Sequence, residues 1–259
     1  MRRTTRTRLL AGALLPVAVV AGAASGTVPA NAIANGEPVP IGRYAFSVKL
    51  TMTGIPTADG GKRDSACSGA LIARQWVITA GHCFRDANGV RVDRPVAEET
   101  TATVGRTDLT SSAGQETTVV AVRQSPTADV AVAKLAEPVT DVRPITVGRS
   151  APKTGAILRL TGYGSVTSTN PVPETRLRTG QMKVVRVTDS VTELSGHKPR
   201  NNTTPCPYDS GGPFFQQSRK GPVLVAVVSN GPSCPHTGLE LAARTDDIAG
   251  WIRQAMRQN

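Results

Sequence analysis

The chain of 259 residues carries 30 Lys and Arg against 19 Asp and Glu, a net charge of +11, with 39% hydrophobic and 19% charged residues. That balance excludes wholesale disorder, and the length suffices for one or two domains with a sizeable core. Only 3% of the residues are aromatic, so the core rests on Val, Ile, Leu and Ala; four Cys are too few for a small scaffold held together by disulfides.

Arg2, Arg3, Arg6 and Arg8 precede an apolar run from Leu9 to Ala24, interrupted by Gly12, Pro16 and Gly22. The run is short of the about 20 apolar residues a bilayer span needs, and Ala30-Asn31-Ala32 follows it. This is the pattern of a secretory signal peptide over residues 1–32 rather than of a retained membrane anchor. Cleavage after Ala32 removes 32 residues with four Arg and no acid, leaving 227 residues at +7. The remaining basic residues are dispersed and have no aromatics interleaved, so a solvated basic surface is expected and a nucleic-acid partner is not. No later segment is apolar enough to span a membrane. The expected location is extracellular, where the cysteines oxidise.

Along the mature chain, short apolar or alternating segments recur: Phe46 to Leu50, Gly69 to Ala80, Thr117 to Val122, Val130 to Leu135, Ile157 to Leu160, Met182 to Val187 and Val223 to Val228. They are rich in Val, Ile, Thr and Ala and are separated by Gly, Pro, Asn and Asp, which predicts an all-β sandwich or barrel. One helix is predicted at the end. Thr245 is placed to cap it, Asp246 and Asp247 fall in its first turn, and Ile248, Trp251, Ile252, Ala255 and Met256 form a single apolar stripe that packs against a barrel.

Three segments carry reactive side chains. In Trp76-Val77-Ile78-Thr79-Ala80-Gly81-His82-Cys83 an apolar strand runs into a His. Asp129-Val130-Ala131-Val132-Ala133-Lys134-Leu135 opens a strand with a carboxylate. In Cys206-Pro207-Tyr208-Asp209-Ser210-Gly211-Gly212-Pro213 a Ser sits between an acid and two glycines that permit a sharp turn. A lone His is more often structural, and a lone Ser-Gly-Gly is a turn. In the order His, Asp, Ser they form a base, an orienting acid and a nucleophile.

Order and flanking residues together resemble the chymotrypsin/trypsin family of serine proteases. Ile33-Ala34-Asn35-Gly36 resembles the family's mature start, and Cys67-Ser68-Gly69-Ala70-Leu71-Ile72 leads to the Thr79-Ala80-Gly81-His82-Cys83 block. Thr161-Gly162-Tyr163-Gly164 is similar to the family's Gly-aromatic-Gly strand end, and Asp209-Ser210-Gly211-Gly212-Pro213 to its nucleophile block. Ser229-Asn230-Gly231 resembles the strand lining the specificity pocket, and Trp251-Ile252 the terminal helix.

The resemblance implies two packed antiparallel β-barrels with a C-terminal helix, over residues 33–147 and 148–259, and a cleft between them. It implies a secreted serine endopeptidase acting on protein or peptide substrates through an acyl-enzyme. Ser210 is then the nucleophile, His82 the base and Asp129 its orienting acid, with Ser229 hydrogen-bonded to Asp129. The N–H groups of Ser210 and Tyr208 form the oxyanion hole, although the family usually has Gly where this chain has Tyr208. Cys67 pairs with Cys83 and Cys206 with Cys234. The new amine of Ile33 pairs with Asp209; signal-peptide removal after Ala32 itself creates that amine, whereas an earlier cut, for example after Ala21-Gly22-Ala23, leaves a short pro-segment.

For the specificity pocket, Thr204 stands at the base, where family members cleaving after Lys or Arg carry Asp. Ser229, Asn230 and Gly231 line the wall. Counting back from Trp251 adds Glu240, and counting forward from Cys234 adds Gly238 instead; a neutral or apolar preference is the expectation. No cofactor is implied. Nor is a metal, because paired Cys-x-x-Cys spacing is missing and His197 and His236 lie in loop-like surroundings, read as exposed. The chain is expected to be a monomer that meets proteinaceous inhibitors. Two rival functions remain: an esterase-like hydrolase with a weakened oxyanion hole, and a catalytically silent secreted binding protein on the same fold.

Overall fold

A computed structural model describes Met1 and residues 33–258 of the chain. The segment assigned to a signal peptide lies, apart from Met1, outside the described residues. A short strand β1 (Glu37–Pro38) precedes β2 (Ser47–Pro56), β3 (Lys62–Ala73), β4 (Trp76–Thr79), β5 (Glu99–Val104), β6 (Gln115–Gln124) and β7 (Ala131–Leu135). β2 to β7 close into an antiparallel barrel in the order β2-β3-β4-β7-β6-β5. After β8 (Thr146–Val147) come β9 (Ile157–Gly162), β10 (Arg178–Val187), β11 (Val191–Lys198), β12 (Pro213–Ser218), β13 (Gly221–Asn230) and β14 (Glu240–Arg244). These six close a second antiparallel barrel, β9-β10-β11-β14-β13-β12, through the β9–β10 and β9–β12 pairings. The all-β, two-barrel expectation holds.

The strands follow their side-chain alternation. In β2, Val48, Leu50 and Met52 are buried while Thr51 and Thr53 are exposed, the period of two that a half-buried strand requires. The predicted apolar segments all fall on strands, and Gly69 to Ala80 is split by a turn at Arg74-Gln75 into β3 and β4. β5, β11, β12 and β14 were not among the predicted segments, because Thr, Glu, Gln and Lys dilute their apolar pattern.

Residues flanking the first barrel are tied to the second. β1 pairs with β10, β8 runs parallel to β13, and Ile33 is buried in the second core beside Leu160 and Val228. Three of the aromatics meet where the barrels join. Phe215 of β12 lies edge-on to Tyr44 and Phe46, with centroids 5.1 and 5.3 Å away, which brings it into the first barrel's core.

The terminal helix α1 (Ala249–Ala255) packs Ile252 and Ala255, with Ile248 just before it, into the same core. Trp251 and Met256 lie half-buried against that core. The expected cap is corrected: the helix starts a turn later, at Ile248, without a side-chain cap. The Thr245 N–H bonds the Val225 carbonyl of β13, so Thr245 stays tied to the edge of the sheet just past β14, and its hydroxyl is buried without a partner.

Replacing Phe215 by Ala empties the junction between the barrels and should cost about 3–5 kcal/mol, as large-to-small changes of a buried aromatic do. Thermal unfolding should show a drop of several degrees or more in the transition midpoint.

Candidate active site

The first barrel contributes a base and an acid. β4 ends in a single 3₁₀ turn, Gly81–Phe84, that carries His82, and Asp129 stands two residues before β7. The β4–β7 pairing, Thr79 opposite Ala131, brings the two ends together. His82 Nδ1 lies 2.7 Å from Asp129 Oδ2, and the His82 backbone N–H donates to Oδ1 at 2.8 Å. Ser229 of β13 donates its hydroxyl to Oδ2 at 2.7 Å. Burial acts to raise the Asp129 pKa, but the His82 ring, Ser229 and the His82 N–H outweigh it and hold the carboxyl at about 2. Arg91 Nη1, 3.8 Å from Oδ1, adds a cation beside the acid.

Ser210 comes from the loop before β12 in the second barrel. Its carbonyl accepts the Ser68 N–H of β3 at 2.9 Å. Gly211, at φ +80°, passes so close to Thr79 that a Cβ there would stand 2.0 Å from its hydroxyl. Ser210 lines one pocket and His82 a second, and the two share Ser229 and Asn230; no hydrogen bond joins Ser210 to His82, a common condition before substrate binds. Both disulfides expected here are formed: Cys67–Cys83 ties β3 to the His82 turn, and Cys206–Cys234 ties the nucleophile loop to the segment after β13.

Asp209 organises the nucleophile loop from below. It is fully buried, and its carboxylate accepts the Gly164 N–H at 2.8 Å on Oδ1 and the Cys206 N–H at 3.0 Å on Oδ2. The Ile33 N–H points to it as well. Burial dominates, pushing its pKa up to about 7 against these donors and the charge of Lys49. Gly162 and Gly164 make room: a Cβ at either would stand 2.1 or 2.4 Å from an Asp209 atom. That is the packing reason for glycines on both sides of Tyr163.

Tyr208 adopts φ +75°, the left-handed region that costs a residue with a Cβ about 1–2 kcal/mol. Three contacts offset that cost. Ser68 donates its hydroxyl to the Tyr208 carbonyl at 3.1 Å, Lys49 Nζ stands 5.8 Å from the ring centroid, and the phenol reaches the Pro171 carbonyl at 3.5 Å. The preceding peptide is trans, and its Pro207 carbonyl accepts the N–H of the fully buried Ser165 at 2.8 Å. The Tyr208 N–H is therefore turned away from the interior.

Beside Ser210 lies a pocket of about 220 Å³ lined by Ser229, Asn230, Gly231, Pro205, Ser168 and Glu240 among others. Two expected pocket residues fall outside this lining. Thr204 is fully buried below it, held in a bridge to Ala34, and Gly238 sits in an exposed turn after Cys234. Glu240 enters because β14 pairs with the end of β13, Leu241 opposite Asn230. Its carboxylate lies where a Gly231 Cβ would be, 2.0 Å from that position.

The reading of His236 as an exposed loop residue is corrected. Its side chain is 9% exposed, with Nε2 3.3 Å from Glu240 Oε2, because the turn folds back under the pocket. Burial pushes Glu240 up to about 7 even with the His236 hydrogen bond opposing. Among the described residues no cluster of His, Cys, Asp or Glu is placed to hold a metal ion.

Sequence reasoning did not single out Lys49, Arg91 or Ser165. None of them carries a local signal, since each acts through a contact with a distant segment.

The Trypsin family model matches residues 33–252. Kallikrein 1-related peptidase b8 of Mus musculus is 29% identical over 228 residues, covering 76% of this chain and 82% of its own. A trypsin-like protease of Streptomyces glaucescens is 26% identical over 240 residues, covering 84% and 81%. Transmembrane protease serine 9 of Rattus norvegicus is 28% identical over 252 residues, which are 87% of this chain but span only 22% of that protein's length. Among solved structures, neuropsin, described as a serine protease expressed in the limbic system of mouse brain, superimposes with a TM-score of 0.68. Its identity is 20%, with 86% of this chain and 100% of that one covered.

Gly164→Ala should destabilise the fold by about 1–3 kcal/mol through overpacking against Asp209. Urea unfolding should place its midpoint clearly below that of Gly250→Ala, where a Cβ meets nothing within 4 Å and the backbone is not left-handed.

Proposed function

The chain belongs to the trypsin family, and from that premise we propose that it is a secreted serine endopeptidase working through Ser210, His82 and Asp129. The observation that carries the reading is the His82–Asp129–Ser229 chain of hydrogen bonds, whose Ser229 also lines the pocket that holds Ser210. Asp129, kept ionised, fixes His82 with its Nδ1–H toward the acid and Nε2 free to take the Ser210 proton. Ser210 Oγ attacks the scissile carbonyl. His82 then returns the proton to the leaving amine, and water repeats the sequence on the acyl-enzyme. The outward-turned N–H of Tyr208 and that of Ser210 stabilise the oxyanion, each donor worth about 3 kcal/mol. Tyr208 thus replaces the usual glycine without loss of the donor, which favours the peptidase reading over the esterase and the silent binder.

Removal of residues 1–32 exposes the Ile33 amine beside Asp209, where its backbone nitrogen already lies. Two formed disulfides accord with an oxidising, extracellular destination. No helix among the described residues is long and apolar enough to cross a membrane. The substrates are proteins or peptides, and proteinaceous inhibitors would occupy the same cleft.

Ser210→Ala should lower kcat by about 10⁶-fold and abolish labelling by a fluorophosphonate. Labelling that survives the substitution would defeat the assignment, and turnover of esters without turnover of matched amides would favour the esterase.

Glu240 at the pocket wall selects a basic side chain when it is ionised. Burial pushes its carboxyl up to about 7, so the charge is present above that pH and lost below it. The ratio of kcat/KM for paired Arg and Phe substrates should rise about tenfold from pH 6 to pH 8, and Glu240→Gln should flatten it. A flat ratio in the unmodified protein would remove Glu240 from the specificity assignment.

A further inference from the structure

Lys49 lies in the middle of β2 and is 5% exposed. Burying an ammonium is costly unless it finds partners. Its Nζ donates to the Tyr163 carbonyl oxygen at 3.1 Å. The N–H of that same peptide unit belongs to Gly164 and donates to Asp209 Oδ1 at 2.8 Å. Cation and carboxylate are therefore bridged by one peptide, its negative end toward Lys49 and its positive end toward Asp209. The ammonium also stands 5.8 Å from the centroid of the Tyr208 ring, the residue before Asp209. The groups facing Asp209 are the N–H groups of Ile33, Gly164 and Cys206, together with the charge of Lys49, which attracts its ionised form.

We infer that Lys49 is a positioning residue, the internal counter-cation of Asp209, which orders the nucleophile loop from the first barrel before any N-terminal amine is available. The inference rests on the peptidase reading for its effect on turnover, but not for the coupling itself. Through the Tyr163–Gly164 peptide, Lys49 favours the ionised carboxylate. That carboxylate in turn holds the Cys206 and Gly164 amides and so the loop carrying Tyr208 and Ser210. A chain that keeps residues ahead of Ile33 has no amine to offer Asp209, so its loop depends on Lys49 most.

The test uses two forms of the protein, one beginning at Ile33 and one retaining Asn31-Ala32 ahead of it, each with Lys49 intact, Lys49→Met or Lys49→Gln. Met keeps the apolar length, and Gln keeps a donor for the Tyr163 carbonyl without charge. The first readout is the Asp209 carboxyl titration followed by NMR, which needs no activity. Both substitutions should raise its midpoint by about one pH unit or more, since an opposite charge is removed. The second readout is the rate of fluorophosphonate labelling. Both variants should slow the extended form by about 100-fold and the Ile33 form by about tenfold or less. An unmoved midpoint, a Gln variant that behaves as the unmodified protein, or equal loss in the two forms would overturn the inference. Unlabelled Lys49-intact protein with a shifted midpoint in the variants would instead overturn the peptidase reading and leave the coupling standing.

Discussion

A carboxylate with no access to water lies at the centre of this structure. Asp209 is fully buried, and a buried charge is tolerated only where donors and an opposite charge converge on it. Here the donors come from distant parts of the chain: Gly164 at the end of β9, Cys206 in the nucleophile loop, and Ile33 at the start of the described fold. Satisfying one side chain therefore draws three segments together. Glycines 162 and 164 follow from it, because any side chain there would occupy the space the carboxyl needs.

The second constraint is that the residues proposed to react come from different barrels. His82 and Asp129 are fixed by the β4–β7 pairing of the first barrel, and Ser210 by a loop of the second. Ser68 joins the two. Its N–H holds the Ser210 carbonyl, and its hydroxyl donates to the Tyr208 carbonyl while accepting the Tyr163 N–H. Ser229 reaches back from β13 to Asp129, and Phe215 seals the junction with Tyr44 and Phe46. Geometry across the cleft thus depends on buried polar contacts that are satisfied only when both barrels are docked.

Tyr208 and Glu240 show how a shared fold carries local chemistry. At Tyr208 the left-handed backbone is retained without glycine, because its carbonyl, its ring and its phenol each find a partner. At Glu240 a carboxylate lines the pocket beside Ser210, while Thr204 is fully buried outside that lining.

Much of this was legible in the residues themselves. Alternating Val, Ile and Thr segments between turn residues dictate strands, because a strand buries every second side chain. The blocks around His82, Asp129 and Ser210, with the four Cys, carry their chemistry within a few neighbouring positions. Lys49 was not legible. Val48 and Leu50 point into the barrel, so the alternation assigns Lys49 to the outer face and hence to water; only the docking of the second barrel turns that outer face into interior. His236 and Glu240 were hidden for a related reason, since counting along a loop cannot fix a register that the β13–β14 pairing sets. Periodicity reports which side of a strand a residue occupies, whereas what covers that side depends on contacts between segments far apart in the chain, and those exist only once the chain has folded.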